Sequence, residues 1–138
     1  MAQDIVGYIV ANIGTTWIDP VANANTGNIF QLFLPNNPDK ACAVYEMKGR
    51  GSKLTFGGLR AWEEPELKVI TRAAESDGWG VAQSDALAIW NLLDVVVNAT
   101  IGSKFYMRIH ADGKPEPQAL DVNNRPLYVQ TFSVMKYI

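Results

Sequence analysis

The chain has 138 residues, a formal net charge of −2, 48% apolar residues and 19% charged ones, the make-up of one ordinary globular domain. A domain of this size buries roughly 68% of the surface of its unfolded chain, so it needs no metal or disulfide to hold a core. The mild net charge argues against a generic nucleic-acid binder, and the single Cys42 excludes an intrachain disulfide.

Ile5, Val6, Tyr8, Ile9, Val10 and Ile13 recur at helical spacing, which predicts a short amphipathic helix over Gln3–Asn12, ended by Gly14. The segment Thr15–Asn28 reads as a loop around Asp19-Pro20 and the polar run from Asn23 to Asn28. Ile29–Leu34 and Ala41–Met47 read as strands. Only the turn Pro35–Asp39 joins them, which predicts an antiparallel pair.

Lys48–Glu64 reads as a long glycine-marked interface loop. It carries Gly49, Gly51, Gly57 and Gly58, the cations Lys48, Arg50, Lys53 and Arg60, and the apolar Leu54, Phe56 and Trp62. Loops of this length are functional or unstructured, and this one is expected to order on a partner. A strand follows over Glu66–Ala73. Ala82, Ala86, Ile89, Leu93 and Val96 then form an apolar stripe at a period near 3.6, which predicts a long helix from Val81 to Asn98, with Asp77 or Ser84 as cap and Gly102 closing the region.

Phe105–Ala111 alternates, with Phe105, Met107 and Ile109 on one face and Tyr106, Arg108 and His110 on the other. A short edge piece over Gln118–Asp121, a hairpin turn at Val122–Arg125 and a final strand over Leu127–Tyr137 complete the chain. The predicted architecture is α+β: one domain over residues 1–138, with a mostly antiparallel sheet and the N-terminal and long helices packed on one face.

Catalytic vocabulary is sparse. Lys48–Lys53 lacks the spacing of a phosphate loop and leads into no helix. One Cys and one His cannot supply a zinc site, and no serine sits in a Gly-x-Ser-x-Gly turn. No catalytic residue, metal or cofactor is expected. Cys42 reads as a buried core residue and His110 as a surface or interface side chain. Trp62 reads as an interface anchor. Arg72 reads as a strand-end arginine, paired with an acid on the adjacent strand or across a subunit boundary.

Taken in order, Asn28-Ile29-Phe30, Ala43-Val44, the glycine-rich loop, Val69-Ile70-Thr71-Arg72, the helix with Ala86, Ile89, Trp90 and Leu93, and Asp121, Arg125, Tyr128, Phe132 and Val134 resemble the tail-terminator (minor capsid) proteins of long-tailed bacteriophages. The resemblance implies a non-enzymatic virion protein, assembled in the host cytoplasm. It implies a homohexameric ring that caps the tail tube protein, stops its polymerisation and offers a joining surface to a neck or connector protein. Genomic DNA passes through the lumen, and no membrane is involved. The interface residues it implies are Arg50, Lys53, Leu54, Phe56, Arg60, Trp62, Arg72 and Arg125. The competing readings are another neck ring component (a head-completion or stopper protein), a small enzyme, and a small-molecule binding domain. A deep pocket gathering His110 with Asp or Glu speaks for the enzyme; a flat sheet face speaks against it.

Overall fold

The computed structural model describes residues 1–13, 17–20, 27–54 and 60–137. The fold is α+β: a curled sheet, nine-stranded among these residues, with both helices packed against it. Helix α1 spans Ala2–Asn12 and buries Ala2, Ile5, Val6 and Ile9. Helix α2 spans Gly78–Leu93 and buries Ala82, Ala86, Ile89 and Leu93. Both sets follow the i, i+3/i+4 spacing that puts side chains on one face. Ala2, Ile5, Val6, Ile9, Ile89 and Leu93 meet Cys42, Val44, Leu67, Val69, Ile109, Phe132 and Val134 from the sheet, these seven at most 2% exposed, while Ala82 and Ala86 pack with Ala73 and Tyr128 in a second cluster. Each large aliphatic side chain so buried contributes about 1.5–3 kcal/mol.

The strands are β1 (Ile29–Gln31), β2 (Ala41–Met47), β3 (Ser52–Leu54), β4 (Arg60–Glu63), β5 (Glu66–Arg72), β6 (Val97–Ile101), β7 (Lys104–Ala111), β8 (Glu116–Pro117) and β9 (Leu127–Tyr137). Strand β9 is the spine. Its even-numbered residues from Tyr128 to Lys136 point inward and are buried, while the odd-numbered ones face out. One edge of β9 pairs with β5 and β4, the other with β8 and β7.

Five expectations are corrected. Strand β1 runs parallel to β2, with Ile29 opposite Cys42. It ends at Gln31 rather than Leu34, so residues 32–40 need only return the chain along a three-residue strand, about 10 Å. The long helix stops at Leu93, and Val97–Ile101 is a strand. Val96 continues the helical stripe in sequence, but Asp94 ends the helix and accepts a bond from the Ala111 amide at 2.8 Å. Gly102 therefore closes the β6–β7 turn at φ +62, against Asp4 of α1, rather than a helix. In β7 a bulge between Tyr106 and Arg108 switches the alternation, so Tyr106 and Ile109 both point into the core. The edge piece near residue 118 is the two-residue β8, which stops at Pro117.

The fifth correction concerns Lys48–Glu64. Its described residues are a β-hairpin, not an irregular loop. Strands β4 and β5 keep one register against β9: Trp62 faces Tyr137, Glu63 faces Lys136, and Glu66 faces Ser133. The Val134 amide donates to the Pro65 carbonyl at 3.0 Å and bridges the gap between them. On the other side, the Arg50 amide donates to the Glu64 carbonyl and the Glu64 amide to the Gly51 carbonyl. The segment is the outer half of a long two-stranded ribbon. The ribbon bends where Gly49 (φ +60) passes the Glu64 carbonyl; a Cβ there would stand 2.1 Å from that oxygen.

Candidate functional site: a bent ribbon and an arginine-clamped knob

A hollow of about 760 Å³ opens beside this crossing. Glu64, Pro65 and Glu66 line it from the ribbon, Ser133, Val134 and Met135 from β9, and Arg108, His110 and Asp112 from β7, with Arg50 at the bend. One row farther along the ribbon, Lys53, Trp62 and Tyr137 stand side by side on β3, β4 and β9. The Phe105 ring stacks on Tyr137 at 5.3 Å. Trp62 and Tyr137 are cross-strand partners, and neighbouring strands lie about 4.8 Å apart. Tyr137 is 46% exposed.

The polar groups of the hollow are partly paired. Trp62 Nε1 donates to Glu64 Oε1 at 3.4 Å, and Lys53 Nζ lies 4.0 Å from Glu64 Oε2. Arg108 donates to the Asp94 and Val96 carbonyls and approaches His110 Nδ1 at 3.1 Å, while Asp94 Oδ1 stands 3.4 Å from the same nitrogen. Ser133 Oγ donates to Asp112 Oδ1 at 2.7 Å. The Arg50 guanidinium and the Glu66 carboxylate have no partner among the described residues.

This cleft gathers His110 with Glu64, Glu66 and Asp112, as the enzyme reading requires. No Ser133–His110 hydrogen bond is formed among the described residues. Ser133 and His110 are cross-strand partners, yet the hydroxyl bonds to Asp112 and Nδ1 is engaged by Arg108. An activated nucleophile needs its base within hydrogen-bond reach and oriented toward it. No group of three His, Cys, Asp or Glu among the described residues has metal-binding geometry. Cys42 is fully buried, and burial, with Asp85 adding to it, pushes its thiol well above the ordinary range.

The opposite end of β9 carries a different surface. The loops 32–40 and 118–126 lie together there, tied by Asn123 Nδ2 donating to Asn36 Oδ1 at 3.1 Å. Two arginines, each 3% exposed, clamp them. Arg72 donates from Nε to the Asp39 carbonyl at 2.9 Å and from Nη2 to the Pro38 carbonyl at 2.6 Å. Arg125 reaches the Asn36 carbonyl at 2.6 Å, Asp39 Oδ1 at 3.1 Å and Asp121 Oδ2 at 2.8 Å. Burial, then the Arg125 charge, holds the Arg72 guanidinium below its ordinary value, while Asp121 and Asp39 pull it back up. The clamped loops present Leu32, Phe33, Leu120 and Val122, between 47% and 95% exposed. Leu32 sits at φ +64, a conformation rare for bulky residues.

The eight residues expected at interfaces thus divide. Arg50 lines the hollow, and Lys53 and Trp62 face each other one row farther along the ribbon. Leu54 and Arg60 are opposite each other in the ribbon backbone, and Phe56 lies outside the described residues. Arg72 and Arg125 serve the clamp, and Arg72 bonds to carbonyls of its own chain rather than to an acid on the adjacent strand. Sequence reading missed Tyr137, Phe105, Met135 and the exposed pair Leu120 and Val122. The apolar run Leu120, Val122 inside a polar turn was the available signal.

No protein-family model and no curated protein matches this chain. Its fold does match solved structures. A chain of the virion of a native gene transfer agent particle aligns at TM-score 0.60 with 10% identity, covering 86% of this chain and 84% of that one. A second solved chain, which carries no functional description, aligns at TM-score 0.51 with 16% identity over 97% and 96% of the two chains. At these identities the likeness is one of fold.

Proposed function

We propose that the chain is a structural component of a phage-type virion and acts as a tail terminator. In this reading copies form a six-fold ring on the head-proximal end of the tail tube. The ring stops tube growth, presents a joining surface to the neck protein and leaves a lumen for DNA. The observation that carries the reading is the fold shared, over most of both chains, with a component of a gene transfer agent virion. The surface chemistry supports it. A ring protomer needs two different faces that meet by rotation, and this chain has two unlike exposed surfaces at opposite ends of one strand. Arg50, Lys53, Leu54, Phe56, Arg60 and Trp62 of the 48–64 segment are proposed to contact neighbours, with Arg72 and Arg125 shaping the second face.

The test is capping. Purified protein is added to growing tail tubes and examined by electron microscopy. The expected result is tubes of fixed length, each ending in a six-fold ring that accepts a neck protein. Tubes that keep growing with the protein present at saturation sink the terminator role. Rings that bind the neck and leave tube growth untouched support the head-completion or stopper reading instead.

The second reading is a small enzyme: the hollow gathers His110 with Glu64, Glu66 and Asp112, and Ser133 is the hydroxyl among the lining residues described. Turnover of ester or phosphoester substrates that His110→Ala abolishes would establish it. The Ser133–Asp112 bond predicts none.

A further inference from the structure

Opposite charges face each other across the hollow. Strand β9 forms its floor with Ser133 and Met135. On the ribbon side Glu66 stands opposite Ser133, and the register that pairs Glu63 with Lys136 puts Glu64 beside Met135. On the β7 side His110 stands opposite Ser133 and Arg108 opposite Met135. Two carboxylates thus face an imidazole and a guanidinium, with the hollow between them. The flanking strands are two strand spacings apart, about 9.6 Å. No ion pair crosses β9 here among the described residues: Glu64 lies near Lys53, and Arg108 bonds to the Asp94 and Val96 carbonyls and to His110. An arginine only donates, so His110 Nδ1 accepts from Arg108, which leaves the ring proton on Nε2 free to be donated.

The lining narrows the occupant. Arg50, at the bend, and Asp112, one row past His110, add a charge of the opposite sign to each side. A bare anion or a nucleic-acid backbone therefore meets three carboxylates, and a bare cation meets two arginines. An apolar occupant would strip water from all of these groups and replace none of their hydrogen bonds. The two floor residues cover about 7 Å of strand, which suits a compact molecule. The volume of about 760 Å³ lies within the roughly 300–1,000 Å³ of small-molecule sites.

We infer that the hollow binds a small amino-carboxylate, its ammonium taken by Glu64 and Glu66 and its carboxylate by Arg108 and His110. Charge-assisted contacts of about 2.8 Å at each end leave about 4 Å between the ligand's own charges. Amino-carboxylates with two or three methylenes between the charges meet that separation, and an α-amino acid is too short. This binding goes beyond the virion role and does not rest on it; the capping assay decides that role separately.

The test is a titration of the full chain, followed by backbone amide NMR, with glycine, β-alanine, γ-aminobutyrate and ε-aminocaproate. Butyrate and butylammonium are the single-charge controls. The expected result is saturable shifts at Ser133 and His110, with β-alanine or γ-aminobutyrate bound about tenfold or more tightly than glycine or either control, the worth of one charge-assisted bond. Glu66 has no partner among the described residues, so Glu66→Gln leaves the fold intact. It is expected to weaken γ-aminobutyrate about tenfold and leave butyrate unchanged. Glu75→Gln, at an exposed turn, is expected to change neither. Shifts that fail to saturate at every chain length overturn the inference. So do single-charge controls within about threefold of γ-aminobutyrate, or a Glu66→Gln protein that binds it as wild type does.

Discussion

Arg72 and Arg125 grip the same loop from two sides: Arg72 Nε donates to the Asp39 carbonyl at 2.9 Å, and Arg125 Nη1 to the Asn36 carbonyl at 2.6 Å. Two like charges in one buried site repel, and this is part of why the Arg72 guanidinium sits below its ordinary value. Asp39 and Asp121 offset the repulsion, and the loop carbonyls take up the remaining donors. The clamp explains how a surface loop containing two prolines can present apolar side chains in one fixed arrangement.

Arg125→Ala is expected to destabilise the fold by about 3 kcal/mol, the upper end for hydrogen bonds to charged groups, because it removes the bonds to Asp121, Asp39 and Asn36 together. Arg72→Ala is expected to cost less, about 1.5–3 kcal/mol, because its bonds go to neutral carbonyls. Arg125→Lys should recover little, since an ammonium cannot span the fork of Asn36 and Asp121 acceptors. Denaturant midpoints check the order; a larger loss for Arg72→Ala contradicts it.

Acid should loosen the clamp. Burial works to raise the Asp121 carboxyl, but bonds from the Arg125 backbone and side chain and from the Asn123 amide outweigh it, and the group is held below its ordinary value of 3.8. Its folded pKa is thus depressed, so the unfolded chain takes up the proton first as pH falls. The stabilisation is present in full above 3.8 and fades as pH drops from there through the folded value. Denaturation midpoints measured from pH 7 to pH 2 should show wild type and Asp121→Asn converging at the acid end. Parallel profiles would show that Asp121 contributes nothing through its charge.

Gly49→Ala should damage the ribbon and spare the core. The new Cβ meets backbone, the Glu64 carbonyl at 2.1 Å and Pro65 Cα at 2.6 Å, and neither can swing away. Gly51, also left-handed at φ +78, has open space around it. Gly51→Ala is therefore expected to cost only the conformational penalty, about 1–2 kcal/mol, and Gly49→Ala more. Trp62 fluorescence should shift in the Gly49 variant alone, while far-ultraviolet circular dichroism stays near that of wild type. The same shift in both variants would mean that the bend does not depend on this close approach.

The Cys42 thiol should label only when the molecule opens. It is fully buried, and its raised pKa leaves no thiolate in the folded state at pH 7. A disulfide reagent should react with it at a rate that follows global unfolding across a denaturant series. Reaction at the rate of a free thiol, without denaturant, would place Cys42 at a surface.

The sequence by itself determined the elements whose pattern is local. The spacing of Ile5, Val6 and Ile9 specifies α1. The run Leu127–Tyr137 after the Val122–Arg125 turn reads as the final strand, and the lone cysteine with its apolar neighbours specifies a core position. These signals are readable because a helix or a half-buried strand imposes its period on its own residues. The tertiary structure decided what depends on partners far along the chain. Val96 and Val97 extend the helical stripe in sequence, yet pairing with Arg108 and Ile109 draws that segment into the sheet. The bulge at Met107, not any local pattern, turns Tyr106 inward. Arg50, Glu66, His110 and Met135 share one hollow only because a single register carries the ribbon across β9 and bends it at Gly49. Arg72 and Arg125 show no pattern in sequence that separates a clamp from a contact, since what an arginine does depends on which carbonyls and carboxylates the fold brings within about 3 Å.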